Sequence, residues 1–182
     1  MRYLLKKTVA VVGMMGAGKT AVGQAMAGLL GVAFRDSDTE IVRASNMEIS
    51  EIFERYGEEF FREKEAQVLA RLLDGAPAVL STGGGAYLRE ENRKLISERG
   101  VALWLKADLG VLWSRVRHKT TRPLLNTADP EARLAELYAA RVPLYARSDL
   151  VVETLPEYSI AETAGRAIAV LATRPDVLEK AR

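Results

Sequence analysis

Gly13-Met14-Met15-Gly16-Ala17-Gly18-Lys19-Thr20 is the stretch on which the reading of the fold turns. It follows the apolar run Val9-Ala10-Val11-Val12 and leads into Ala21-Val22-Gly23-Gln24-Ala25-Met26-Ala27. A short buried strand, a glycine-rich turn and a helix start therefore occur in that order. The eight residues match the P-loop pattern G-x-x-x-x-G-K-[ST]. Gly16 and Gly18 permit a tight turn whose backbone N–H groups face phosphate oxygens, and the helix beginning near Lys19 adds its partial positive charge. Lys19 can reach the outer phosphates, and the Thr20 hydroxyl can hold Mg²⁺. A glycine-rich corner with a chance lysine would require neither the full pattern nor this setting. The stretch predicts a site for a Mg²⁺-bound nucleoside triphosphate.

Outward from this loop, Val22, Ala25, Met26, Leu29 and Leu30 recur at helical spacing until Gly31 stops the helix. Val32-Ala33-Phe34 reads as a second strand that delivers Asp36-Ser37-Asp38 at its carboxyl end. Residues 39–73 read as helical with a break at Gly57. Pro77 to Leu80 is a third strand running into Ser81-Thr82-Gly83-Gly84-Gly85. A helix over about 88–98 precedes strand Val101 to Leu105, and another runs from Asp108 to about Arg115. A basic, non-periodic loop follows through His118 and Arg122. Pro130 to Tyr145 reads as a long helix interrupted or kinked near Pro143. Leu150 to Val152 is a last strand and Ile160 to Leu171 a last helix. Nearly continuous apolar strands alternating with helices predict an α/β protein with a parallel sheet covered on both faces. Ligands of such sheets bind beyond the carboxyl ends of the strands. The P-loop, Asp36/Asp38 and Gly83–Gly85 all follow directly from strands and are expected to converge on one cleft.

Phosphoryl transfer needs an acidic group near the metal and another to orient or deprotonate the attacking hydroxyl. Asp36 and Asp38 can divide these roles, although either one can instead cap the helix that begins at Thr39. Ser81 and Thr82 stand where a P-loop protein usually carries the acid that holds water on Mg²⁺, so that role is expected to fall to Asp36. Consecutive glycines at 83–85 allow close approach of a ligand. Arg62, Arg115, Arg122 and Arg141, like His118, read from charge alone as solvated surface groups.

The 182 residues suffice for one domain with a sizeable core, and 48% hydrophobic and 27% charged residues are usual for a soluble fold. A net charge of +2 offers no global field for nucleic acid or an anionic membrane. The absence of cysteine excludes disulfides and thiolate metal sites and fits a reducing cytoplasm. No apolar run approaches the roughly 20 residues of a membrane span, and no signal peptide is read at the N-terminus.

Taken together, the motifs resemble those of the shikimate kinase family, over nearly the whole chain. The P-loop alone points only to a superfamily. Asp36-Ser37-Asp38, Phe61-Arg62, Gly83-Gly84-Gly85-Ala86, Arg122-Pro123-Leu124-Leu125 and Arg141-x-Pro-Leu-Tyr, in this order and spacing, carry the likeness. The resemblance implies that ATP phosphorylates the 3-hydroxyl of shikimate, a step of aromatic amino-acid biosynthesis. It implies a three-layer P-loop NTPase fold of the nucleoside monophosphate kinase type: a five-stranded parallel sheet, a substrate-binding segment over about 39–73 and a lid over about 116–126. The whole of 1–182 would be one kinase domain, a cytoplasmic monomer with neither nucleic acid nor membrane as partner.

By the same resemblance, Gly13, Gly16, Ala17, Gly18, Lys19, Thr20, Ala21, Arg115 and Arg122 would hold ATP. Thr20 and Asp36 would hold Mg²⁺. Asp38 would bind the acceptor's hydroxyls and orient or deprotonate the attacking one. Arg62 and Arg141 would grip its carboxylate, with Gly83, Gly84 and Gly85 beside it. Lys19 and the lid residue Arg122 would join Asp38 in catalysis. Planar guanidinium groups suit a carboxylate, and a closing arginine brings charge to the γ-phosphate while water is excluded.

Three positions depart from the family pattern. Ala21 replaces a common Ser or Thr, which leaves a backbone N–H contact. The loop Glu153-Thr154-Leu155-Pro156-Glu157 lacks the arginine that some relatives carry toward adenine. Arg117-His118-Lys119 stands where glycine is commoner in the lid. A gluconate or nucleoside monophosphate kinase would present a different acceptor pocket from one with paired arginines and the glycine run. A nucleotide-binding switch would need neither Asp38 nor a carboxylate clamp, and a nucleic-acid-dependent ATPase would show a binding module and a basic surface.

Overall fold

Each of the sheet's strands owes its place to a short apolar run that ends in a polar residue or a glycine where the chain leaves the core. The computed structural model describes residues 2–119 and 123–181. In chain order its strands are β1 (Tyr3–Leu5), β2 (Thr8–Val12), β3 (Phe34–Asp36), β4 (Val79–Ser81), β5 (Gly100–Lys106), β6 (Leu150–Glu153) and β7 (Leu178–Lys180). Five of them form a sheet in the order β3-β4-β2-β5-β6, with every neighbouring pair parallel. β2 sits at the centre and is buried along its whole length, as expected of a strand covered on both faces.

The register aligns the carboxyl ends of the strands. Asp36 and Val11 both pair with Ser81, and Val12 pairs with Trp104. The P-loop, the Asp36-Ser37-Asp38 run and the segment from Thr82 to Gly85 thus leave the sheet at one edge.

The helices are α1 (Lys19–Leu30), α2 (Ser37–Ser45), α3 (Ile49–Leu73), α4 (Glu90–Arg99), α5 (Leu109–Val116), α6 (Pro130–Tyr145) and α7 (Ile160–Leu171), with single 3₁₀ turns at Ala86–Leu88 and Pro123–Leu125. The main core joins β2, β4 and β5 to Met26 and Leu30 of α1, Leu134 and Tyr145 of α6, and Ala164, Ile168 and Leu171 of α7. Ile41, Ile52, Phe61 and Val68 form a second, smaller core beneath α2 and α3. The segment that carries Asp38 and Arg62 therefore has its own apolar centre, joined to the main one through Leu72, which packs against both.

The alternation and the parallel sheet match expectation, and several boundaries move. Gly57 takes φ 85° and ψ 172°, so α3 is two helical stretches joined at this residue, as the sequence predicts. The second strand begins at Phe34 rather than Val32 and includes Asp36, because pairing with Val79–Ser81 sets its extent. Leu29 is 58% exposed; the buried face of α1 is instead Val22, Gly23, Met26, Ala27 and Leu30. Gly23 belongs to it because a side chain there would start 2.9 Å from the Phe34 ring.

Pro143 does not end α6, which continues to Tyr145. The proline lies in the last turn, where it removes a single N–H, and Ala146 N–H donates to the Val142 carbonyl at 2.9 Å just beyond it. A further pairing escapes sequence reading: β1 and β7 form an antiparallel ribbon that ties residues 3–5 to 178–180. No described helix is long and apolar enough to cross a membrane.

Candidate active site

A cleft of about 680 Å³ opens at the carboxyl edge of the sheet, walled by residues 15–22, Asp36, Asp38, residues 81–84, Arg115 and Lys119. Its floor is the P-loop. Gly16 and Gly18 take φ of 81° and 93°, left-handed values that glycine adopts without strain. Gly18 forms the N-cap of α1 with no side-chain cap, so the first N–H groups of the helix remain for a ligand. Lys19 Nζ donates to the carbonyls of Gly13 at 2.8 Å and Met14 at 3.0 Å, which holds its charge over the loop. Arg115, the basic residue of the last turn of α5, donates to the carbonyls of Gly16 at 3.2 Å and Ala17 at 3.1 Å. Thr20 and Ala21 line the same wall.

Asp36 closes β3 and is the N-cap of α2, accepting from Thr39 N–H at 3.1 Å. The capping role and a place in the cleft are compatible here, because the cap sits at the edge where the strands end. Asp38 lies in the first turn of α2 and faces the glycine run; a side chain on Gly83 would begin 2.8 Å from its Oδ1. Burial pushes the Asp38 carboxyl above the ordinary aspartate range, the charge of Asp36 adds to the rise, and Lys19 and Arg62 oppose it.

Arg62, on the second stretch of α3, is mostly buried. It donates to Glu65 at 2.8 Å, lies 3.6 Å from Glu58 and stacks over Phe61 at 5.2 Å from the ring centre. Glu65 is 1% exposed, and burial raises its pKa in spite of the arginine. A side chain on Gly85 would collide with the Arg62 guanidinium, so glycine is what lets this arginine approach the backbone. Arg141, on α6, reaches the same run one residue earlier, 3.4 Å from where a side chain on Gly84 would begin. Arg62 also borders an adjoining depression of about 430 Å³ with Glu58, Glu59, Gly85, Leu88 and Arg89. The glycine run is the wall between that depression and the cleft.

Of the site residues expected from the sequence, Gly16, Ala17, Gly18, Lys19, Thr20, Ala21, Asp36, Asp38, Gly83, Gly84 and Arg115 line the cleft, Arg62 and Gly85 border the adjoining depression, and Gly13 and Arg141 line neither. Arg122 lies outside the described residues, as do Thr120 and Thr121 of the expected lid. Three participants escape sequence reasoning. Ser37, fully buried between the aspartates, accepts from Gly83 N–H at 3.0 Å and ties α2 to the glycine run. Glu65 sits three residues after Arg62 on one helix face, a spacing that would have flagged the pair. Tyr145 donates to the Gly84 carbonyl at 2.7 Å and lies one turn beyond Arg141. The far wall carries Thr154, Tyr158, Ser159, Ile160 and Thr163, from the loop after β6 and the start of α7.

The profile of the family described as shikimate kinase matches residues 15–172. The chain belongs to the shikimate kinase family. The shikimate kinase of Ruegeria pomeroyi is 67% identical over 175 residues, 96% of this chain and 90% of that enzyme. That of Cereibacter sphaeroides is 63% identical over 175 residues, 96% of this chain and 87% of the other. Among solved structures, shikimate kinase from Acinetobacter baumannii in complex with shikimate superposes with a TM-score of 0.85 at 36% identity, covering 92% of this chain and 94% of that one. The family is an ATP-using one, and its P-loop NTPase fold is the one seen here.

Proposed function

We infer that the protein transfers the γ-phosphoryl group of ATP to the 3-hydroxyl of shikimate, giving shikimate 3-phosphate and ADP. The observation that carries the reading is the position of Asp38: a half-buried carboxylate that feels the charges of Lys19 and Arg62, against Gly83, where the triphosphate cleft meets the glycine run.

The P-loop N–H groups and Lys19 bind the β- and γ-phosphates, and Arg115 braces the loop from α5. Arg62 and Arg141 both reach the glycine run, at Gly85 and Gly84, and together grip the acceptor's carboxylate, for which planar donors are suited. Glu65 fixes the Arg62 guanidinium and leaves its remaining N–H groups for substrate. Asp38 accepts a hydrogen bond from the attacking hydroxyl and takes its proton as the new O–P bond forms and the bond to the ADP oxygen breaks; its raised pKa strengthens it as a base. Arg122, from the lid, closes on the phosphates and shields the γ-phosphoryl group from water.

Mg²⁺ fits this site. The Thr20 hydroxyl and the Asp36 carboxylate supply hard oxygen donors on the cleft wall, and no cluster of three acidic, His or Cys side chains occurs among the described residues. Few protein oxygens, with phosphates and waters completing the shell, is the usual arrangement for this ion. When bound, Mg²⁺ neutralises developing charge on the phosphates. The reading includes a single-domain monomer in the cytoplasm with small-molecule partners only.

A coupled ADP-release assay of the purified protein with ATP, Mg²⁺ and separately shikimate, gluconate and nucleoside monophosphates tests the reading. Turnover with shikimate alone is expected. Turnover with another acceptor and none with shikimate would overturn it.

A further inference from the structure

The Arg141-x-Pro-Leu-Tyr run ends in a tyrosine that the reaction scheme above leaves without a task. Tyr145 is fully buried, and its ring packs between Tyr87, 6.4 Å away at 15°, and Trp104, 6.2 Å away at 29°. Trp104 belongs to β5, and Tyr87 to the 3₁₀ turn that follows the glycine run. With its ring immobilised by both, the hydroxyl is aimed at the Gly84 carbonyl, to which it donates at 2.7 Å. Arg141, four residues earlier on the same helix face, comes to the same glycine, 3.4 Å from where a side chain on Gly84 would begin. Phenol and guanidinium from one helix face thus meet at one glycine. The neighbouring ring supplies a contrast, because the Tyr87 hydroxyl is buried and has no hydrogen-bond partner among the described residues.

We propose that Tyr145 is a positioning residue for acceptor binding, its hydroxyl holding the Gly84 carbonyl against α6 and so setting where Arg141 meets the glycine run and grips the acceptor's carboxylate. Gly84 lies in a run of three glycines with wide backbone freedom, and anchoring its carbonyl before the acceptor arrives removes ordering that binding would otherwise impose. The same bond keeps the glycine run in register with the guanidinium. This proposal rests on the assignment of Arg141 and Gly84 to the acceptor.

The test compares Tyr145→Phe, Tyr87→Phe, Arg141→Ala and the Tyr145→Phe/Arg141→Ala double variant. Shikimate affinity is measured by calorimetry without nucleotide, with kcat, both KM values and melting temperature alongside. Tyr145→Phe is expected to raise the shikimate Kd and KM about tenfold, the scale of leaving one buried carbonyl without its donor, with kcat and the ATP KM changed less than about twofold. Tyr87→Phe is expected to leave all of them unchanged, and Tyr145→Phe is expected to add nothing once Arg141 is gone.

If Arg141→Ala weakens shikimate binding and Tyr145→Phe does not, or if the two effects simply add, the positioning role is overturned. If Arg141→Ala itself leaves shikimate binding intact, the assignment of that arginine has failed instead. A purely structural tyrosine would lower the melting temperature and weaken both substrates together, and that result also overturns the proposal. All four proteins are compared at a temperature where each is folded, so a loss of stability in one does not hide the coupling.

Discussion

Adding one methyl group at Gly85 should cost the enzyme its acceptor and leave its nucleotide. A Cβ on Gly85 would overlap the Arg62 guanidinium, and the atoms it meets are the free end of a long side chain rather than backbone. Gly85 does not take a positive φ, so alanine carries no conformational penalty there and the arginine must move. Its freedom is limited by the 2.8 Å ion pair with the buried Glu65 and by the Phe61 ring beneath it. Overpacking of this kind costs about 1–3 kcal/mol, and each kcal/mol lowers the melting temperature of a chain this size by about 2–4 °C. Displacing one of two clamp arginines removes hydrogen bonds to a charged partner worth about 1.5–3 kcal/mol, so the shikimate KM of Gly85→Ala should rise roughly 10- to 100-fold. Gly85 does not line the nucleotide cleft, and the ATP KM should hold. Gly84→Ala is the internal comparison, because its Cβ would stand 3.4 Å from Arg141, a tight but tolerable contact, and its effect should be smaller. The assay is ADP release with each substrate varied in turn, together with a thermal melt. A folded Gly85→Ala enzyme with an unchanged shikimate KM, or with both KM values raised equally, would refute the reasoning.

Other outcomes follow from the same reading of the site. Asp38→Asn should lower kcat by about 10²–10⁴-fold while a fluorescent ATP analogue still binds; the wild-type acid limb of kcat/KM should lie above the ordinary aspartate pKa and vanish in the variant, and near-wild-type turnover would remove Asp38 from the chemistry. Glu65 has a pKa raised by burial, so the folded state binds more protons than the unfolded one and loses stability as pH rises from the ordinary glutamate value through the raised one. Glu65→Gln should therefore flatten that part of the pH–stability curve and preserve or raise the melting temperature near neutrality, while the loosened Arg62 raises the shikimate KM; melts across pH and a steady-state assay check both. Arg122→Ala should lose kcat with an unchanged melt, and a collapse of the fold would instead make that arginine structural.

By itself the sequence determined the superfamily chemistry and the order of the layers. A P-loop is contiguous, so its glycines, lysine and threonine act through spacing alone, and apolar runs of strand length alternating with helical periodicity require a covered parallel sheet. The break at Gly57 was legible for the same local reason. Boundaries set by pairing were less so: β3 shifted to include Asp36 because β4 determines its extent, and the β1–β7 ribbon joins segments some 175 residues apart that carry no mutual signal. Arg62 and Arg141 read from charge as surface arginines, and only family resemblance lifted them from the rest.

What the tertiary structure decided is why those arginines differ from their neighbours. Burial of Glu65, the missing side chain at Gly85 and the Tyr145 hydroxyl on Gly84 hold two distant helices against one glycine run. Desolvation and Coulomb interaction depend on distances in space, so the raised pKa of Asp38 and its interaction with the charges of Lys19 and Arg62 exist only once the strand ends are brought together.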